Sequence, residues 1–307
     1  MAEPTPLSKN RDFNVFWLGQ TLSGLGDAFA AVAVPLLVLQ ATGSLAAMGR
    51  LTAVVTGSYL VSGLVSGAIV DRVDRRRLMV VCDVARFVLY AAVPLWWWLR
   101  GPSYPVLVAA SSAGALLGNT FQVASITAVA RLVPRGQLLD ANGRMQGAYT
   151  VMFAVGPMLA AWVCRRWGPV AGLGIDALSF LVSALSLLLV RAPFSVENPG
   201  ARAAPLRDFV EGLRFLWNHP VLRATVLLLG ASSMLVAGRE NLLVYHVTRD
   251  LHRDENAVGA LFAKGAFWAP QFVSTLLYPR MAQGDRRSRA VVGSLALSAA
   301  ATDGTPR

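Results

Sequence analysis

Eight apolar runs follow one another along this chain, each about 20 residues or longer, the length that crosses the hydrocarbon core of a bilayer. They extend over Phe13 to Gln40, Ala46 to Val70, Leu78 to Leu99, Pro105 to Ala130, Gly143 to Cys164, Pro169 to Val190, Val221 to Val247 and Ala257 to Leu277. A soluble core cannot bury so many stretches of this length, whereas helices in lipid can, because each satisfies its own backbone hydrogen bonds. The predicted fold class is therefore an all-α polytopic membrane protein. A ninth run begins near Ala290 as AVVGSLALSAAA and gives way to the polar tail TDGTPR, too short to cross at about 12 residues. Of the 307 residues, 55% are hydrophobic and 15% charged, and the mean hydropathy is +0.51, as expected of a chain that sits in lipid. The opening segment MAEPTPLSKNRDF is polar and leads into a run too long for a signal-peptide core, so it reads as an uncleaved first span.

The net charge of +11 is an orientation signal. One set of loops carries Lys9 and Arg11, then Arg72, Arg75, Arg76 and Arg77, then Arg131 and Arg135, then Arg191, Arg202, Arg207 and Arg214, then Arg280, Arg286, Arg287 and Arg289. The alternate loops hold only Arg100, the pair Arg165 and Arg166, and Arg249 with Arg253, the last two offset by Asp250, Asp254 and Glu255, with Arg50 near the first hairpin. By the positive-inside rule the first set is cytoplasmic, which predicts a multi-pass cell-membrane protein with its N-terminus in the cytoplasm. No basic helix or aromatic-basic sheet pattern points to nucleic acid, and none is expected as a partner.

Enzyme chemistry has no foothold in the residues. His219, His246 and His252 show no ligand spacing with cysteines or carboxylates, and no nucleophile triad or phosphate-cradling glycine loop occurs, so no metal or cofactor is expected. Cys82 and Cys164 lie in or at the end of apolar runs and are not expected to form a structural disulfide.

Three parts are predicted: a six-helix half over residues 1–190, a cytoplasmic linker over 191–220, and the start of a second half over 221–307. Within the linker, PLRDFVEGLRFLWNHP places Leu206, Phe209, Val210, Leu213 and Leu216 on one helical face, which suits an interfacial helix on the cytoplasmic surface, an ordinary soluble linker helix being the alternative.

The loop between the second and third spans reads Gly67-Ala-Ile-Val-Asp71-Arg72-Val-Asp74-Arg75-Arg76-Arg77-Leu78. It resembles the signature G-x-L-A-D-R-x-G-R-R, motif A of the major facilitator superfamily, in the loop where that family carries it. Gly67, Asp71, Arg72, Arg75 and Arg76 match, and Asp74 stands in place of the second glycine. Physically, a small residue lets two helices approach, and a carboxylate among arginines forms charge pairs that hold one conformation and break in the other. The segment Pro279 to Arg289, with Gly284, Asp285, Arg286 and Arg287, resembles a degraded second copy, as an internal repeat would supply.

Further matches extend the resemblance to the branch that includes macrolide-efflux and enterobactin-exporter-like permeases. They are Asn10-Arg11-Asp12-Phe13 with Trp17-Leu18-Gly19-Gln20 and Gly26-Asp27, Ala41-Thr42-Gly43-Ser44, Leu132-Val133-Pro134-Arg135 with Ala141-Asn142, Asp176-Ala177-Leu178-Ser179-Phe180, and Glu211-Gly212-Leu213-Arg214-Phe215-Leu216. In the fifth span, Gly147 and Gly156-Pro157 resemble the antiporter signature, with Ala160 and Ala161 in the places of its later glycines. Small residues beside a proline make a bend and a close helix contact, and an ordinary packing face is the alternative.

Charges inside spans mark functional paths, because burying one without a partner is costly. At about 1.5 Å per residue, Asp27 lies roughly 20 Å into the first span, past the bilayer centre. Asp176 and Lys264 lie roughly 10 Å in from the outside, and Arg239 with Glu240 reach a similar level from the inside. Asp27 is the leading candidate for proton coupling or gating, with a structural partnership to Lys264 or Arg239 as the alternative. Asp83 and Arg86 share a helix face and are expected to extend the motif A network. Asn119 and Gln122 either line the cavity or bond between helices. Trp96-Trp97-Trp98 is expected to anchor in the outer headgroup region.

The resemblance implies the major facilitator fold, with a complete N-terminal six-helix half and an incomplete C-terminal one. It implies alternating access and export of amphiphilic small molecules, drugs or siderophores, against proton entry, by a monomer in the lipid bilayer. A chain lacking the last helices of the second half would also lack the surface that the motif A carboxylate works against. A transport-inactive truncated remnant is therefore the alternative expectation.

Overall fold

The structure is a computed structural model, and it describes residues 7–192, 194, 214–224 and 226–227. Six helices run through it, all long and apolar enough to cross a membrane: α1 (Arg11–Thr42), α2 (Leu45–Arg72), α3 (Arg75–Arg100), α4 (Tyr104–Leu132), α5 (Leu138–Trp167) and α6 (Pro169–Leu189). Each of the first six apolar runs of the sequence falls on one of them, the sixth ending one residue past α6 at its C-cap Val190. The seventh run is described only over its first residues, helical at 221–224 and 226–227, and the eighth lies outside the described residues. Of the linker helix, residues 214–218 are helical, with Phe215 and Trp217 exposed and the Phe215 and His219 rings 6.1 Å apart. Leu206, Phe209, Val210 and Leu213 lie outside the described residues.

Local chemistry sets the helix ends. The Asn10 side chain accepts from the Phe13 N–H at 3.1 Å to open α1, and its Nδ2 donates to the Leu132 carbonyl at 2.8 Å, which ties the head of α1 to the foot of α4. At the other end, Gly43 adopts φ +64°, returns its N–H to Leu39, and is followed by Ser44, the N-cap of α2. Only a residue without Cβ takes this conformation at no steric cost, so a single glycine both ends one helix and starts the next. The turns after α3 and α5 use Gly101 and Gly168 in the same way, with φ +83° and +84°.

α1 is central. It packs on α6 and α5, α6 packs on α3, α3 on α4, and α4 on α2. Two apolar cores result. One, at the end of the glycine turns, gathers Phe29, Leu36, Leu37, Met48, Val93 and Leu173. The other, at the N-terminal end, gathers Phe13, Phe16, Met79, Phe121, Leu187 and Phe194. Between them lie buried polar groups from three helices: Gln20, Ser23, Asp83, Asp176, Ser179 and Ser183. Trp97 packs against the first core, while Trp96 and Trp98 are exposed beside it.

Candidate functional site

The polar layer is built on the seam between α1 and α6. Ser179, Ser183 and Ser186 recur every three or four residues on α6, and so do Gly19, Ser23 and Gly26 on α1, so each set forms one stripe along its helix. Gln20 Nε2 donates to Ser183 Oγ at 2.9 Å. The Ser179 and Ser186 hydroxyls donate back to the carbonyls of Asp176 and Ser183 at 2.7 and 2.8 Å. A Cβ on Gly19 would stand 1.9 Å from Ser186 Oγ, and one on Gly26 would stand 2.1 Å from Ser179 Oγ and 2.9 Å from Asp176 Oδ1. Small residues on both sides thus permit the close approach that packs helices in lipid.

Against this seam α3 presents Arg86. Its Nη2 meets Asp27 Oδ1 at 3.0 Å, and its guanidinium lies over the Phe180 ring at 3.7 Å from the centroid. Tyr90, one turn further along α3, meets the same ring edge-on at 5.6 Å. Gly114 of α4 makes room for Tyr90, since a Cβ there would lie 2.4 Å from its ring, whereas one on Gly118 would be in ordinary contact with Arg86 Cζ at 3.5 Å. The i,i+4 pair on α3 fits the i,i+4 pair on α4.

A cavity of about 570 Å³ opens beside the ion pair, with Asp27, Arg86, Asp176, Asn119, Gln122 and Tyr149 among its walls. That volume suits a drug-sized molecule. Asp27 is central in α1, 16 residues or about 24 Å from the start of this 32-residue helix. Asp176 is fully buried, and neither of its carboxylate oxygens has a hydrogen-bond partner among the described residues; the same holds for Asp83. Among the described residues no group of His, Cys, Asp and Glu could hold a metal ion, and Cys82 and Cys164 are free and buried.

Six long helices around a charged central cavity narrow the possibilities, and comparison with known families decides among them: residues 16–302 match the family described as the Major Facilitator Superfamily. This chain belongs to the major facilitator superfamily. The multidrug efflux pump Tap of Mycolicibacterium fortuitum is 32% identical over 213 residues, 66% of this chain and 51% of that protein. The macrolide efflux protein A of Streptococcus pyogenes is 28% identical over 253 residues, 78% of this chain and 59% of that protein. The chain thus spans about half the length of the curated relatives it matches. A crystal structure of a bacterial homolog of the human lysosomal transporter Spinster, inward-facing and unoccupied, superposes with a TM-score of 0.62 at 17% identity, covering 88% of this chain and 63% of that one. This last likeness speaks for the fold alone.

In this facilitator, motif A joins α2 to α3. Asp74, the residue in place of the second glycine, has φ −57° and caps α3, its side chain accepting from the Arg77 N–H at 2.9 Å. The turn does not use a left-handed residue there, so an aspartate serves. Arg75 Nη1 donates to the Phe194 carbonyl at 3.3 Å, and Arg76 Nη2 donates to the Ala192 carbonyl. Arg76 also lies over the Phe194 ring at 5.1 Å, Phe194 meets Phe16 edge-on at 6.2 Å, and the Ala192 N–H donates to Asp12 at 2.9 Å. The two arginines therefore grip the chain as it leaves α6. A Cβ on Gly67 would meet nothing within 4 Å, so the close approach expected there is not made with any described helix. Arg72 ends α2 and is exposed, and the Asp71 side chain lies outside the described residues.

One expectation needs correction. Asp83 and Arg86 were expected to extend the motif A network, but Arg86 lies 11 residues, about 16 Å, beyond Arg75. It pairs with Asp27 in the middle of the bundle, against the Phe180 ring. Asp27 thus has a partner within the first six helices. The alternatives Arg239 and Lys264, with Glu240, lie outside the described residues. On α5, Gly156 packs so closely on α1 that a Cβ would fall 2.5 Å from that of Ala28, whereas one on Gly147 would meet nothing within 4 Å. Pro157 is buried inside α5 without ending it. Sequence reading missed Tyr90, Tyr149, Phe180 and the α6 serines. The spacing of Gly114 and Gly118, and of Ser179, Ser183 and Ser186, was the available signal.

Proposed function

We propose that this facilitator exports amphiphilic small molecules from the cell by alternating access, driven by proton entry, with the N-terminus cytoplasmic. The observation that carries the reading is the Asp27–Arg86 pair at the midpoint of α1, on the wall of a drug-sized cavity. A rocking carrier binds its cargo near the bilayer midplane. A carboxylate that is 45% exposed to that cavity, paired with an arginine only 12% exposed, can exchange its arginine for a proton while the arginine keeps its place. Similarity to the efflux pump Tap and to macrolide efflux protein A supports export over the inactive remnant.

In this reading residues 1–190 form one half of the carrier, 191–220 link it to a second half beginning at 221, and the protein works as a monomer. Arg75 and Arg76 fix the start of the linker. Asp71 and Arg72 are the gate, Gly147, Gly156 and Pro157 the bend of α5, and Asn119 and Gln122 polar contacts for cargo.

Efflux of a fluorescent amphiphile from energised cells expressing the chain tests the proposal, with Asp27→Asn beside it. Uncoupler-sensitive efflux that the variant loses is the expected result. Efflux that is insensitive to uncoupler, or unaltered in the variant, would remove Asp27 from the coupling path. Absence of efflux from protein shown to be inserted would overturn the export reading.

A further inference from the structure

The cavity wall holds two acids and one base. Arg86 is committed: it pairs with Asp27 at 3.0 Å and stacks on Phe180 at 3.7 Å. Asp176, on α6, lines the same cavity fully buried and, among the described residues, forms no ion pair and leaves both carboxylate oxygens without a hydrogen-bond partner. The described charged groups facing it are Asp27 from α1 and Arg86 from α3. Gly26 leaves room for this carboxylate in the α1–α6 seam, since a Cβ there would stand 2.9 Å from Asp176 Oδ1. A buried acceptor left unpaired beside a cavity is costly unless a ligand completes it.

The aromatic side chains around that cavity supply the rest of a recognition site. Tyr59, Tyr90, Tyr149 and Phe153 line it, and aromatic faces attract cations as well as flat apolar bodies. Resting on the export reading above, we infer that Asp176 is a cation-binding site for cargo. The cavity takes a monocationic amphiphile whose protonated amine donates to the Asp176 carboxylate and whose apolar body lies among these rings, while Asp27 remains with Arg86 for coupling. The two carboxylates thereby divide the work: Asp176 reads the charge of the cargo and Asp27 answers the proton.

The test uses two dansyl amides of equal size, one with a dimethylaminopropyl arm that is charged at neutral pH and one with a 4-methylpentyl arm that is not. Each is titrated by fluorescence into the purified full chain in lipid nanodiscs. The cationic dye should bind at least about tenfold more tightly, the ratio expected of one charge-assisted hydrogen bond in a desolvated site. Asp176→Asn should bring the two affinities to within about twofold while the neutral dye binds as before.

Should Asp176→Asn fail to fold, the wild-type chain answers through labelling by an apolar carbodiimide, read by peptide mass. The cationic dye should protect Asp176 and the neutral dye should not. Equal binding of the two dyes by the wild type, a preference that survives Asp176→Asn, or protection by both dyes alike would overturn the inference. Binding without discrimination, in a chain that still exports dye, leaves the export reading standing. Discriminating binding with no efflux from inserted protein overturns the export reading and not this site.

Discussion

Arg86 is much better buried than the carboxylate it pairs with: its side chain is 12% exposed and that of Asp27 is 45%, across a contact of 3.0 Å. The arginine is held on three sides, by Asp27, by the Phe180 ring and by contact with Gly118, whereas Asp27 faces the cavity. Removing the two partners should therefore have unequal effects. Asp27→Asn leaves a buried guanidinium without its counter-charge and should lower the thermal unfolding midpoint of the purified protein by the equivalent of about 3 kcal/mol, whereas Arg86→Met leaves a carboxylate that the cavity can solvate and should lower it less. Thermal scans in one detergent compare the two, and equal shifts would show that the pair is not anchored from the arginine side.

The α1–α6 seam predicts a rescue. Gly19→Ala puts a methyl 1.9 Å from Ser186 Oγ and 2.5 Å from its Cβ, an overpacking worth about 1–3 kcal/mol. Ser186→Gly removes both atoms. The double variant should recover most of the loss, and a double-mutant cycle on unfolding midpoints measures the coupling; additive effects would place the clash elsewhere.

At Asp74 the prediction separates capping from turn geometry. Asp74→Ala should cost about 1 kcal/mol through loss of the α3 cap. Asp74→Asn should be close to neutral, and Asp74→Gly, which restores the residue of the family pattern, should cost a few tenths of that. Hydrogen exchange at the Arg77 amide, which Asp74 holds, reports the difference. The same exchange rate in Asp74→Ala as in the parent would exclude the cap.

The grip of Arg75 and Arg76 on residues 192 and 194 predicts protease behaviour. Arg76→Ala removes a bond to the Ala192 carbonyl and the cation over Phe194. Phe194→Ala empties a fully buried site packed on Phe16, at a cost of about 3–5 kcal/mol. Both should speed tryptic cleavage after Arg191, while Arg77→Ala, on an exposed side chain, should not. Equal cleavage in all three would show that the segment is held by other means.

On α5 the two glycines should behave oppositely. Gly156→Ala meets Ala28 of α1 at 2.5 Å and should destabilise, whereas Gly147→Ala meets nothing within 4 Å and should be tolerated or slightly stabilising, since alanine has the better helix propensity. Unfolding midpoints of the two variants decide it.

The first six helices were legible because their positions depend on hydropathy and length, terms that each segment carries by itself. The cavity was legible in part: Asn119, Gln122, Asp27 and Asp176 announce themselves as polar groups in apolar runs. Their pairing was not. Arg86 is 59 residues from Asp27, and the choice between a partner on α3 and one on a later span depends on which helices touch, a tertiary fact. The position of Arg86 near motif A in the chain pointed toward the loop. What draws it inward is the Asp27 carboxylate on α1 together with the Phe180 ring on α6, and neither contact can be read from the spacing along α3. Asp74 misled in the same way, since a substituted glycine suggests a lost backbone conformation where the structure needs only a helix cap.

The three left-handed glycines, Gly43, Gly101 and Gly168, all lie on the rim opposite the N-terminus, in joints of one to three residues. On the other rim Val73 and Asp74 join α2 to α3, and residues 133–137 join α4 to α5, so α1 and α2 are joined to each other at Gly43 and Ser44. Two helices linked so tightly cannot separate at that joint, so a tilt between them must pivot there and be amplified along their length. For a helix of about 30 residues, some 45 Å long, a tilt of about 5° leaves the rim in place and carries the far end about 4 Å. Spin-label pairs across α1 and α2 should accordingly show distance changes that grow steadily from Gly43 toward the end that carries Arg72.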